Sequence, residues 1–138
     1  MNFITLAYNE AEKEYSYLIS PNAPPNCKIL DFKKYSELKI QDDFILFIGC
    51  IWYGIDISIS NSLSEIACNY PNINFYFKLI FAEEELESLI PEEIPLQKLP
   101  VILKISDFKT TVVSNGLISR DELDNKILKL LSNTNNYL

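Results

Sequence analysis

The chain of 138 residues contains no histidine. With histidine go the usual general base near neutral pH and the commonest metal ligand, so Ser-His-Asp and Cys-His catalysis are excluded. Cysteine is scarce as well. Cys27, Cys50 and Cys68 are odd in number and widely spaced, which fits neither a disulfide framework nor a zinc knuckle. No apolar run approaches the roughly 18 to 20 residues that span a bilayer. The opening "MNFITLAYNEAEKEY" lacks the basic start and long apolar centre of a signal peptide, so a cytoplasmic location is expected, with the nucleus open by diffusion. Basic residues are outnumbered, 12 against 19 acidic ones, giving a net charge of −7. Direct binding to nucleic acid is therefore not expected, because affinity for a phosphate backbone comes largely from lysine and arginine displacing counterions.

What is present is ample apolar material. Hydrophobic residues make up 48% of the chain against 22% charged, enough for one globular domain that buries roughly two-thirds of its unfolded surface. Phe3 to Ser20 alternates apolar and polar residues on either side of "NEAEKE", the pattern of a short hairpin. The proline-rich "SPNAPPN" follows as a linker, so residues 1–25 are expected to form an N-terminal extension and 26–138 the main domain. "CKILDF" reads as a short strand and "KKYSEL" as a short helix or turn. "FILFIG" is a continuous apolar run of strand length, as expected of a strand covered on both faces.

From Ile59 the apolar Leu63, Ile66, Ala67 and Tyr70 recur at helical spacing, and the pattern stops at Pro71. "INFYFKLIF" predicts a second buried strand, and "AEEELESLI" a helix closed by Pro91, with its acidic residues at the positive end. Val101 to Ser106 and Thr110 to Ser114 read as strands joined around "DFK", and Gly116 breaks the second. Ser119 and Glu122 form an S-x-x-E capping box ahead of Leu123, Ile127, Leu130 and Leu131, and "SNTNNYL" is expected to fray. Helices between the early strands imply parallel crossovers and the late tight turn implies an antiparallel pair. The sheet should therefore be mixed.

This layout resembles the thioredoxin-like superfamily at three places. The family's redox loop, W-C-G-P-C at the end of a buried strand, falls in register with Trp52-Tyr53-Gly54-Ile55-Asp56. The family's cis-proline before the first hairpin strand corresponds to Leu99-Pro100, ahead of "VILKI". The family's closing glycine, short link and helix correspond to Gly116, "LIS" and "RDELDNKILKLL". The resemblance runs from about Asn26 to Ser132. It implies an α/β thioredoxin-like fold, a mixed four- to five-stranded sheet flanked by helices, here with an N-terminal hairpin-like extension.

The departures bear on function. Tyr53 stands where the resemblance places the attacking cysteine, Asp56 where it places the resolving one, and Phe47 where it places a buried acid; the lysine beside that acid corresponds to Lys78. Neither a phenol nor a carboxylate can attack sulfur through a mixed disulfide. The expectation is a redox-inactive thioredoxin-like module that binds a protein partner, such as an extended peptide, or serves as a subunit of a larger assembly. In lacking a cysteine pair it is similar to phosducin-like and spliceosomal thioredoxin-like proteins. No cofactor and no membrane association are expected.

The expected binding residues are Ile51, Trp52, Tyr53, Gly54 and Ile55, with Leu99 and Pro100 beside them. The competing reading packs Trp52 and the isoleucines onto the N-terminal hairpin or under the following helix. The enzymatic alternative is a monothiol oxidoreductase or redox sensor using Cys50, against which stands the frequency with which free cysteine is buried as a small apolar residue. Cys68, beside Ala67, is expected in the core, and Cys27 carries no reading. Glu83, Glu84, Glu85 and Glu87, continued by Glu92 and Glu93, form a solvated acidic face, since no D-x-D-x-D-G loop accompanies them. Asp56 is expected to stabilise the helix N-terminus. The hairpin could also pair edge strands between copies and build an oligomer.

Overall fold

The computed structural model describes residues 3–38, 43–91, 94, 98–106 and 109–135. The tip of the "DFK" turn, Glu92 and Glu93, and the last three residues of the expected tail lie outside them. Strands β1 (Ile4–Asn9) and β2 (Glu14–Ile19) form an antiparallel hairpin in which Ile4 faces Ile19 and Tyr8 faces Tyr15. Its turn is built locally: the Asn9 side-chain oxygen accepts the N–H groups of Ala11 (3.0 Å) and Glu12 (3.2 Å), and Lys13 takes a left-handed φ of 53°.

The hairpin is a separate two-stranded sheet, yet its base is core. Phe3 and Ile4 are buried. The Phe3 ring packs 4.6 Å from that of Phe77, and its N–H donates to Asn61 Oδ1 at 2.7 Å.

The main sheet has five strands: β3 (Cys27–Ile29), β4 (Phe44–Cys50), β5 (Asn74–Ile80), β6 (Val101–Ser106) and β7 (Lys109–Asn115), in the order β3-β5-β4-β6-β7. β3 and β4 run parallel to β5, whereas β6 is antiparallel to both β4 and β7. The sheet is mixed, as expected. β4 is central and wholly buried because alternate residues serve two cores. Ile45 and Phe47 join one with Phe75 and Phe77, under helices α1 (Gly54–Ala67) and α3 (Arg120–Asn135). Phe44, Leu46, Ile48 and Cys50 join the other with Phe32, Leu86 and Leu89. Two-sided burial is why the run needed no polar alternation.

Local signals set the ends of these elements. The Asn26 side-chain amide donates to the carbonyls of Ala67 (3.0 Å), Tyr70 (2.9 Å) and Ile73 (2.9 Å), pinning the chain that leaves α1 against the start of β3. Gly116, with φ of 98°, ends β7 and donates its N–H to the Pro100 carbonyl at 2.9 Å. At α3 the Glu122 N–H donates to Ser119 Oγ at 3.2 Å, and the serine hydroxyl in turn bonds the Glu122 carboxylate.

α1 begins at Gly54, ahead of Ile59 where its apolar spacing starts, with Asp56 in its first turn as expected. Two expectations change. The acidic helix shortens to a 3-10 turn (Glu83–Glu85) followed by α2 (Leu86–Leu89), because Glu85 folds back to accept the N–H groups of Phe81 (2.8 Å) and Ala82 (2.9 Å). α3 runs on to Asn135, into the segment expected to fray.

Candidate functional site

β4 delivers the chain to the turn Cys50–Tyr53, and α1 carries it away from Gly54. A cleft of about 400 Å³ opens beside this turn, lined by Tyr53, Glu83, Leu86, Lys98, Leu99, Gly116 and Leu117. The Leu99–Pro100 peptide bond is cis, and Pro100 is buried while Leu99 is half-buried. Val101 pairs with Ile48 across β4 and β6, which brings Leu99 and Pro100 to the same end of the sheet as the turn.

The expected binding residues separate. Trp52, Tyr53, Gly54 and Ile55 are exposed, but Ile51 is only 5% exposed and belongs to the core with Phe3, Ile4 and Phe77. Its N–H continues the strand pairing to the Ile80 carbonyl at 2.9 Å. Ile51 is therefore a packing residue, removed from the surface by one last step of strand geometry.

Trp52 satisfies part of both readings. Its indole N–H donates to the Phe81 carbonyl at 3.0 Å, and its ring stands edge-on to Tyr15 of the hairpin at 5.0 Å and 6.0 Å from Phe81. It packs on the hairpin, yet half of it remains open.

Tyr53 and Asp56, which the sequence resemblance sets against the family's two cysteines, carry a phenol and a carboxylate. The Tyr53 hydroxyl donates to the Glu83 carboxylate, and this bond pushes the phenol up to about 12, so Tyr53 stays neutral at physiological pH. Asp56 is 2% exposed, and its Oδ2 accepts the Cys50 N–H at 2.8 Å. This corrects the expected role: the carboxylate bonds the end of β4 rather than the helix's own N–H groups, and α1 has no side-chain cap. Burial raises the Asp56 carboxyl above its ordinary value, opposed by the Cys50 hydrogen bond.

Gly49 completes this corner. A Cβ there would stand 2.7 Å from the Phe47 ring and 3.2 Å from the Asp56 Cβ, so no side chain fits between them. Phe47 lies in the α1-facing core. Lys78 pairs in register with Ile48 on the opposite face, with its ammonium 3.1 Å from Asp31 Oδ1 and 6.0 Å from the Phe32 ring centre.

Cys50 is 2% exposed, and burial pushes its thiol up. Cys27 is buried too, and burial takes its thiol up to about 12. Cys68 was expected in the core but is exposed, because it continues the helical geometry one turn after the exposed Glu65, on the outer side of α1. Among the described residues no three carboxylates or thiols converge on a possible metal position; Glu83, Glu84, Glu85 and Glu87 are all exposed.

Sequence reasoning missed Tyr8, Tyr15 and Phe81 as companions of Trp52. The hairpin register carried a signal, since Tyr8 and Tyr15 sit symmetrically about "NEAEKE" and pair across the strands with ring centres 4.8 Å apart. Phe81 sits one residue past β5 and had been read only as the strand's last apolar position.

No protein-family model and no curated protein matches the chain. Solved structures do. Thioredoxin NaTrxh from Nicotiana alata aligns over 80% of this chain and 96% of its own, with a TM-score of 0.57 and 16% identity. Thioredoxin from Trypanosoma brucei brucei aligns over 83% and 98%, with a TM-score of 0.55 and 13% identity. Oxidized thioredoxin O2 from Arabidopsis thaliana aligns over 77% and 94%, with a TM-score of 0.53 and 14% identity. Identities this low speak to architecture alone, and the architecture is clear: the chain has the thioredoxin fold.

Proposed function

We propose that this chain is a redox-inactive protein-binding module of thioredoxin fold, in which the turn before α1 and the Leu99–Pro100 segment receive an extended peptide. The observation that carries the reading is the exchange of character at one place. Trp52, Tyr53 and Ile55 are 49%, 40% and 56% exposed beside the cleft, while the two positions that would need thiols hold a neutral phenol and a buried carboxylate. Aromatic residues so placed are typical interface anchors, and an extended peptide presents alternate side chains that can pack on them. A monothiol mechanism through Cys50 fits poorly, because a nucleophilic cysteine needs access and a lowered pKa, and Cys50 has neither.

The test is selection of displayed random extended peptides on the full chain, followed by affinity measurement against Tyr53→Ala and Ile55→Ala. Anchor residues cost more than about 1 kcal/mol on truncation, so each variant should bind the selected peptides at least about fivefold more weakly. Equal binding by parent and both variants would remove the turn as a binding site. Reduction of insulin by the chain above the dithiol background would refute the redox-inactive part.

A further inference from the structure

The aromatic residues around Trp52 form a continuous ladder that leaves the main domain and climbs the hairpin. Ring centres are 4.8 Å apart from Tyr8 to Tyr15, 5.0 Å from Tyr15 to Trp52 and 6.0 Å from Trp52 to Phe81. Each ring is open: Tyr8 is 50% exposed, Tyr15 46%, Trp52 49% and Phe81 40%. The hairpin face that carries Tyr8 and Tyr15 is the one that buries Ile4 at its base. The same alternation that makes a core near Phe3 therefore makes an uncovered aromatic strip near the tip.

Both ends of the ladder are acidic. The hairpin tip next to Tyr8 and Tyr15 carries Glu10, Glu12 and Glu14 against the single cation Lys13. Phe81 leads through Ala82 into Glu83, Glu84 and Glu85, all exposed. Exposed rings bounded by carboxylates suit one ligand chemistry: a guanidinium lies over a ring face with its charge attracted to the π-system, and gains further from nearby carboxylates. Alternate side chains of an extended segment fall about 7 Å apart on one side, wider than the 4.8 to 6.0 Å between neighbouring rings, so a segment laid along the ladder sets its arginines over some of the rings rather than over each one.

We propose that the Tyr8–Tyr15–Trp52–Phe81 ladder docks an extended, arginine-bearing segment of a partner protein, held by guanidinium–ring contacts and by Glu83 and Glu85. The proposal rests on the reading of the chain as a binding module and names the partner chemistry that module takes. The partner segment then lies across both the hairpin and the main domain, which gives residues 1–25 a function beyond their contribution to the core.

Trp52 is the chain's single tryptophan, so its fluorescence reports directly on the ladder. The full chain is titrated with an eight-residue peptide of alternating glycine and arginine, and separately with the same peptide carrying citrulline or glutamate in place of arginine. Citrulline keeps the shape and the hydrogen-bonding plane of arginine without its charge. Saturable change with the arginine peptide, at least tenfold weaker binding of the citrulline peptide and none of the glutamate peptide are expected. Tyr8→Ala and Tyr15→Ala, at exposed positions whose loss leaves the core intact, should each weaken arginine-peptide binding at least fivefold, and the double variant Glu83→Gln/Glu85→Gln should weaken it and flatten its salt dependence.

Equal affinity for arginine and citrulline peptides overturns the proposal, as does unchanged binding in both tyrosine variants. If peptides selected on the parent chain bind through Tyr53 and Ile55 while the arginine peptide does not bind, the arginine ladder fails and the binding module stands. If neither kind of peptide binds, both fail.

Discussion

At the scale of single residues, Asp56 shows how one buried charge can hold a turn together and still weaken the fold. Its carboxylate ties the first turn of α1 to the end of β4 through the Cys50 N–H, but burial raises the carboxyl's pKa above its ordinary value of 3.8. The folded chain then binds this proton more tightly than the unfolded chain does. Linkage follows: the contribution is most favourable below 3.8 and is lost as pH rises through the folded-state pKa. Asp56→Asn keeps an acceptor for the Cys50 N–H and removes the buried charge. The variant should therefore have a higher thermal midpoint than the parent at pH 7, and the two melting curves should converge as the pH falls toward 3.8. A variant less stable than the parent at pH 7 would mean that the charge itself holds the corner. The sequence placed Asp56 in the first turn but could not show which N–H it would meet, because that depends on how closely β4 and α1 approach at Gly49. Ile51 has the same lesson: the pattern IWY is compatible with either side of a turn, and only the pairing to Ile80 settles which residue faces the core.

At the scale of elements, legibility followed how many independent signals agreed. β4 and β5 were readable because both are apolar runs of strand length, and α3 because Ser119, Glu122 and a regular apolar stripe point to one start. The beginning of α1 was not readable from apolar spacing. Gly54, Ile55, Asp56, Ile57 and Ser58 carry weak helix propensity, and no side chain caps them; the segment is helical because the helix packs its Ile59, Leu63 and Ile66 against the sheet. The α2 region was overestimated for a related reason: a run of glutamates has good propensity, but Glu85 satisfies N–H groups ahead of its own turn and the segment ends at Ile90 with an extended backbone. The cap at α3 is open to a direct test. Ser119 Oγ accepts the Glu122 N–H, and loss of such a cap costs about 0.5 to 2 kcal/mol. Ser119→Ala should lower unfolding free energy in urea by that amount with an unchanged m-value, whereas Ser119→Asp should recover it. Equal stability of Ser119→Ala and the parent would show that the cap contributes nothing.

At the scale of the whole molecule, the hairpin and the two sheet faces behave as one folding unit if the packing of Phe3 means what it implies. Phe3 and Ile4 come from the extension but belong to the same core as Phe77, Ile51 and Leu63, so the extension is joined to the domain by burial as well as by the chain. The three cysteines sample this cooperativity without any added probe. Cys68 is exposed, Cys27 is buried in the core that contains Phe3, and Cys50 is buried in the core on the other face. In native buffer Cys68, the exposed thiol, should alkylate fastest of the three. Cys27 and Cys50 should label far more slowly and at similar protection factors, because reaching either requires the shared sheet to open. Phe3→Ala, a buried aromatic truncation, costs about 3 to 5 kcal/mol. It should accelerate labelling of both buried thiols together, by roughly two to four orders of magnitude, where opening limits the rate as a pre-equilibrium. Acceleration confined to Cys27 would divide the molecule into two units, with the hairpin and its core opening alone. Rapid labelling of Cys50 in the parent chain, ahead of Cys27, would contradict its burial and favour the monothiol reading over the proposed redox-inactive one.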